Sequence, residues 1–122
     1  MSVVSPMLNL LVLRSPDIDR AIVFCRELGL SPVKHSHGSG PEHYAMEHGE
    51  FVFELYPLSS KQTSTESSRV GFRVDGIDEL VVCLAEIGAT VISSPRDSEW
   101  GRRAVLKDLD GHSVELIQSI RS

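Results

Sequence analysis

The chain has 122 residues, 41% hydrophobic and 24% charged, with a formal net charge of −5. That length suits one domain with a real core and is short for two. The acidic balance argues against a nucleic-acid surface, which needs clustered Lys and Arg, and no apolar run approaches the roughly 20 residues that cross a bilayer.

Taken in chain order, residues 1–10 (MSVVSPMLNL) lack a positive start, an apolar core and a cleavage site, so no leader is expected. Residues 8–13 (LNLLVL) read as a strand. Residues 16–30 (PDIDRAIVFCRELGL) read as a helix: Ile18, Ala21, Ile22, Cys25 and Leu28 form one apolar stripe, and Gly29 suits the left-handed residue that ends a helix. Ser15 is the expected cap, with Pro16 in the first helical position and Asp17 and Asp19 at the positive end of the dipole. Strands follow at 32–37, 43–47 and 51–56.

The stretch HSHGSGPEHYAMEH, residues 35–48, holds four of the five histidines. His35 and His37 share a strand face, GSGP reads as a turn, and His43 on the return strand could lie opposite His37. His48 closes the run. Three readings stay open: a solvent-facing hairpin, a rim that touches a ligand, and a separate metal site. The hairpin position favours the first.

Residues 59–68 (SSKQTSTESS) are polar and aperiodic and read as an exposed linker between modules at about 7–58 and 69–119. Beyond it the pattern repeats. Residues 69–74 alternate as a strand, and 75–89 (DGIDELVVCLAEIGA) place Ile77, Leu80, Val81, Leu84 and Ile87 where the first helix has its stripe. Strands follow at 90–93, 102–107 and 113–117. FVFELYP and HSVELIQ carry matching glutamates, Glu54 and Glu115. The chain is therefore an α+β protein of two βαβββ modules, whose strands form one curved eight-stranded sheet with the helices on the outer face. The concave face is a cup, where ligands commonly bind.

Period-two alternation puts Val52, Glu54 and Tyr56 in that cup, and Ser113, Glu115 and Ile117 likewise. A half-buried carboxylate is a candidate general base or metal ligand, so Glu54 and Glu115 are the catalytic candidates. The competing reading is a salt bridge to Arg69 or Arg73. Those two arginines project together from the fifth strand, either to grip a carboxylate or phosphate or to neutralise the glutamates. In SEWGRR, Trp100 could close over a ligand, with Arg102 or Arg103 supplying charge, or lie on an exposed loop. Tyr44 and Tyr56 are candidate pocket walls. No nucleophile elbow or phosphate-cradling loop occurs. Cys25 and Cys83 stand at neither metal-ligand nor CxxC spacing and read as buried free thiols of a cytoplasmic protein.

PDIDRAIVFCRELGL, its echo GIDELVVCLAEIGA and the ending KDLDGHSVELIQ resemble the vicinal oxygen chelate superfamily of glyoxalases, bleomycin-resistance proteins and extradiol dioxygenases. The resemblance spans nearly the whole chain. Leu109 replaces the proline usual in that ending, and Phe24-Cys25 replaces the usual F-Y. It implies a cupped α+β fold, commonly a homodimer, and either glyoxalase-like lyase chemistry or sequestration of a small molecule. Metal-bearing members take four ligands, one from the first and one from the last strand of each module. Here Glu54 and Glu115 match. The first-strand position falls on Asn9 or Leu10, and the fifth-strand position on Arg69. Without imidazole, and with a guanidinium at the site, a divalent Ni, Zn or Mn ion is disfavoured. The ligand set for ring-cleaving iron chemistry is absent. The expected partner is a small, anionic molecule; a second copy of the chain is expected too, and no nucleic acid or membrane.

Overall fold

The computed structural model describes residues 5–119, so residues 1–4 of the stretch read for a leader lie outside it. No helix among the described residues is long and apolar enough to cross a membrane. The element order is β1 Leu10–Ser15, α1 Ile18–Leu28, β2 Val33–His35, β3 His43–His48, β4 Phe51–Pro57, β5 Arg69–Arg73, α2 Ile77–Glu86, β6 Thr90–Ser98, β7 Gly101–Lys107 and β8 Ser113–Gln118. This is the α+β fold of two βαβββ modules. The eight strands hydrogen-bond as two sheets of four, ordered β1-β4-β3-β2 and β5-β8-β7-β6. In each sheet the first strand runs parallel to the last and the other pairs are antiparallel.

α1 begins later than the sequence suggests. Ser15 is the last residue of β1, fully buried, and its hydroxyl accepts from Asp17 N at 3.1 Å. Asp17 is the cap: its backbone is extended, and its carboxylate accepts from Arg20 N at 3.1 Å. The cap must keep non-helical dihedrals while its side chain turns back on the first turn, and Ser15 is already committed to the strand. Gly29 ends the helix with φ 108°.

Alternation sorts each sheet into two faces. Leu13, Tyr44, Met46, Phe53 and Leu55 are buried with Ala21, Ile22 and Cys25 of α1. Ala104, Leu106, Val114 and Leu116 are buried with Ile77, Val81 and Leu84 of α2. The modules interlock through side chains: Phe24 of α1 sits in the second core, and the rings of Phe53 and Phe72 lie 6.0 Å apart. Cys83 is half-buried rather than buried; Cys25 is buried, and burial pushes its thiol up to about 12.

The linker is less passive than its composition implied. The Thr65 hydroxyl accepts from Arg14 N at 2.9 Å and donates to Arg14 O at 3.2 Å, covering part of the open edge of β1. It also meets His112 Nε2 at 2.7 Å. An edge strand with unpaired backbone groups invites pairing with another chain, and Thr65 blunts that edge at one end only.

Candidate functional site

The helix-free face of the first sheet carries one cross-strand row. Arg14 lies opposite Tyr56, and His43 opposite His35. His43 is 5% exposed, and its ring stacks on Tyr56 with centroids 4.1 Å apart and planes 7° apart. The Arg14 guanidinium lies 5.2 Å from the same tyrosine ring, a cation–π contact. His43 Nδ1 faces the Pro41 carbonyl at 3.3 Å. A carbonyl only accepts, so in the neutral ring Nδ1 holds the proton, and Nε2 accepts from the Tyr56 hydroxyl at 3.4 Å. Glu54, in register with Val12 and Ala45, brings Oε2 to 3.7 Å from that Nε2. The imidazole of His43 is thus the neighbour of the Glu54 carboxylate, an ion pair only when that ring is protonated; Arg69 and Arg73 bond elsewhere.

His43 thus departs from the reading of a solvent-facing hairpin. β2 stops at His35, two residues earlier than expected, and Gly38 and Gly40 turn the chain, Gly40 N bonding to His37 O at 2.9 Å. The partner of His43 is therefore His35, not His37. The shortened strand lays both rings on the Tyr56 row. Tyr56 lies in this row. Tyr44 faces α1 instead, its hydroxyl on Asp19 Oδ1 at 2.7 Å.

The second sheet repeats the row with different chemistry. Arg73 and Arg103 both lie opposite Ile117, and Arg96 opposite Arg103. Glu115 pairs with Gly71 and Val105. Its Oε1 accepts from Arg103 Nε, and its Oε2 from Arg69 Nη2 at 3.0 Å. The Arg103 bond, with Arg69 behind it, holds the Glu115 carboxyl below the usual glutamate range. Of the two glutamates, this one is neutralised by arginines. Arg73 bonds Ser119 and lines an open polar cleft of ≈ 400 Å³ with His48 and Asp75. Counting strand residues, this face offers Arg69, Arg73, Arg96, Arg103 and Lys107 against Glu115, a surplus of positive charge that suits an anion.

The remaining candidates are placed as follows. Leu10, in register with Val52, shares the Glu54 face; Asn9 precedes β1 and its carbonyl accepts from Val52 N at 2.8 Å. Trp100 is 73% exposed at the β6–β7 turn. Arg102 points away from Arg103, bonding Asp78 at 2.8 Å and Asp97 at 3.0 Å. Neither Asn9 nor Leu10 carries an imidazole, and the Arg69 guanidinium bonds Glu115.

Sequence reasoning missed a cluster in the β7–β8 turn. Asp108, Asp110 and His112 bring ligand-type atoms within 4.8 Å of one another. Asp108 Oδ1 accepts from the backbone N–H groups of Asp110 and His112, both at 2.9 Å. His112 is buried, with Nδ1 on Asp108 Oδ2 at 3.0 Å and Nε2 on Thr65. Burial alone lowers its pKa; the Asp108 bond and the charges of Asp108, Asp110 and Glu66 outweigh that and raise it. Burial raises the Asp110 carboxyl. With both ring nitrogens engaged, the cluster works as a clasp between turn, linker and β1. The D-x-D-G-H spacing was its signal; the contact with Thr65, 47 residues away, had none.

The Glyoxalase/Bleomycin resistance protein/Dioxygenase superfamily profile matches residues 7–116. Comparison with curated proteins gave no match. Among solved structures, the chain is similar to TnmS3, an antibiotic binding protein from Streptomyces sp. CB03234, at TM-score 0.77 and 20% identity, covering 98% of this chain and 100% of that one. It is similar to a glyoxalase/bleomycin resistance protein/dioxygenase family enzyme from Burkholderia phytofirmans PsJN, at 0.74 and 19%, covering 92% and 98%. TioX from Micromonospora sp. ML1 follows at 0.71 and 22%, covering 94% and 100%. At these identities the likeness speaks to fold alone.

Proposed function

Since the chain belongs to the Glyoxalase/Bleomycin resistance protein/Dioxygenase superfamily, we propose that it holds a small anionic molecule reversibly on its helix-free face, as a binding or sequestering protein. The observation that carries this reading is the pairing of Glu115 with both Arg69 and Arg103. A carboxylate clamped by two guanidiniums is a poor base, because each cation stabilises its charged form, and a poor ligand for a metal, because both oxygens are engaged by cations that repel the ion. The same guanidiniums keep unused N–H donors for a carboxylate or phosphate. TnmS3, described as an antibiotic binding protein, shares the fold and supports binding as a use for it.

The competing reading is glyoxalase-like lyase chemistry, with Glu54 as base. Glu54 is the freer of the two carboxylates and the His43–Tyr56 pair lies beside it. That reading needs a metal bound by Glu54 and Glu115 together, and Arg69 opposes it.

We also propose a homodimer. β1 and β5 end their sheets, each with an open edge, and Leu10 and the preceding Leu8 are exposed beside the first. A second copy that covers these edges closes two sheets into a shared cup. Two free cysteines suit a cytoplasmic setting.

The test uses benzoate and phenyl phosphate as probes, followed through the single tryptophan, Trp100. Saturable binding weakened about tenfold or more by Arg69→Ala and by Arg103→Ala supports the reading, since a charged hydrogen bond contributes about 1.5–3 kcal/mol. Turnover of a glutathione hemithioacetal that depends on added Ni²⁺ or Zn²⁺ would establish the lyase instead.

A further inference from the structure

The β2–β3 hairpin carries an arrangement that the anion-binding reading does not use. The ring centroids of His35, His37 and His43 stand 5.7, 5.8 and 5.8 Å apart, nearly an equilateral triangle. We propose that these three histidines form a site for one divalent transition-metal ion of the Zn²⁺, Ni²⁺ or Cu²⁺ kind, with the Glu54 carboxylate able to complete it.

The spacing supports this. Imidazoles that share one tetrahedral ion, with metal–nitrogen bonds of about 2.0–2.1 Å, have ring centres roughly 5 Å apart. The observed triangle is within an ångström of that on every side. Closure asks the three ring centres to draw in by less than an ångström and their nitrogens to turn toward one point. The residues that must turn are the ones with room to do so: His35 is half-buried and His37 exposed.

His43 is the fixed corner. The Pro41 carbonyl accepts from its Nδ1–H and Tyr56 clamps its ring, so the Nε2 lone pair, which holds only a long 3.4 Å bond from the Tyr56 hydroxyl, is the donor a metal would take in exchange for that bond. A metal-binding imidazole held through its other nitrogen by a backbone carbonyl is the usual supporting arrangement, because it fixes both tautomer and ring angle. Glu54 Oε2, 3.7 Å from that Nε2, supplies an anionic oxygen on the same side. Three neutral imidazoles and one carboxylate suit zinc, nickel and copper rather than calcium or magnesium. The site lies within the first module. It owes nothing to Arg69 or Glu115, and it stands or falls independently of the anion-binding reading.

The experiment is calorimetric titration of the untagged, chelator-stripped full chain with ZnCl₂, repeated with Co²⁺ while its visible d–d bands are recorded. The proposal expects one ion per chain, tetrahedral cobalt bands, and a melting midpoint raised by several degrees at about a hundredfold excess over Kd. His37→Gln changes an exposed side chain, so its metal-free melt should match the parent while Zn²⁺ affinity drops at least tenfold. His35→Gln combined with His37→Gln should abolish saturable binding. Arg69→Ala and Glu115→Gln should leave Zn²⁺ affinity unchanged. The proposal is overturned if no saturable binding appears below about 1 mM, a Kd that corresponds to only about −4.1 kcal/mol. It is equally overturned if the double histidine variant binds like the parent, or if Glu115→Gln abolishes binding.

Discussion

Glu115 Oε2 and Arg69 Nη2 lie 3.0 Å apart across the parallel pair β5–β8, and Arg103 holds the other carboxylate oxygen from β7. The carboxylate is thus a counter-ion to the cationic face and also a competitor for any anion that approaches it.

Glu115→Gln is therefore expected to tighten binding of benzoate or phenyl phosphate, by removing that competitor. Its effect on stability should stay within about 1 kcal/mol, because Arg69 and Arg103 are solvent-accessible and such pairs are screened. Titration through Trp100 fluorescence and a denaturant melt check the two halves. A large loss of anion affinity would mean that Glu115 itself contacts the ligand.

The His112 clasp makes stability depend on pH in a defined direction. The groups that face His112 are Asp108, Asp110, Glu66 and Thr65. A histidine with a raised folded pKa contributes stability that is fully present below its unfolded value, near about 6.5, and lost as pH rises through the folded value. Asp110, also raised, loses its contribution in the same sense as pH rises. Glu115, Asp19 and Asp78 are lowered, so their contributions are present above about pH 4 and lost as pH falls. The melting midpoint should peak in mildly acidic buffer, roughly pH 5 to 6.5. His112→Gln should flatten the decline on the alkaline side, which a series of melts from pH 4 to 9 reads directly.

Asp17→Ala should destabilise the chain by about 1 kcal/mol, the usual effect of losing an N-cap acceptor. Chemical denaturation checks it, and an unchanged midpoint would return the cap to Ser15.

Gly101→Ala should be the costlier single change. Gly101 has φ 138°, and a Cβ there would stand 2.5 Å from the Gln118 carbonyl oxygen. Backbone against backbone has little room to yield, so a loss of about 2 kcal/mol or more is expected. A denaturant midpoint within error of the parent would show that β7 and β8 separate readily at this end.

The modules were legible because burial imposes a period that sequence records: the stripes of α1 and α2 and the echoed V/F-E-L of β4 and β8 follow from one face meeting a core. The start of α1 was misread because Ser15 and Asp17 both suit a cap, and only the length of β1 decides between them. The first-sheet site was legible in part. Alternation gave Glu54 and Tyr56 a common face, but the stacking of His43 on Tyr56 depends on where a glycine-rich hairpin turns, and a shift of two residues in β2 changes which histidine lies opposite. The clasp was the least legible, since Thr65 lies in a segment without periodicity and its partners are 47 and 51 residues away.

The interlocked cores carry a last consequence. Lys61 is exposed in the segment that joins the modules, whereas Phe24 is buried in the opposite module's core and Thr65 is tied to both β1 and the β7–β8 turn. Trypsin should nick the chain after Lys61 and leave two fragments that co-elute as one folded particle. The covalent continuity of the polypeptide matters here for bringing the halves together during folding, and far less for keeping them together afterwards.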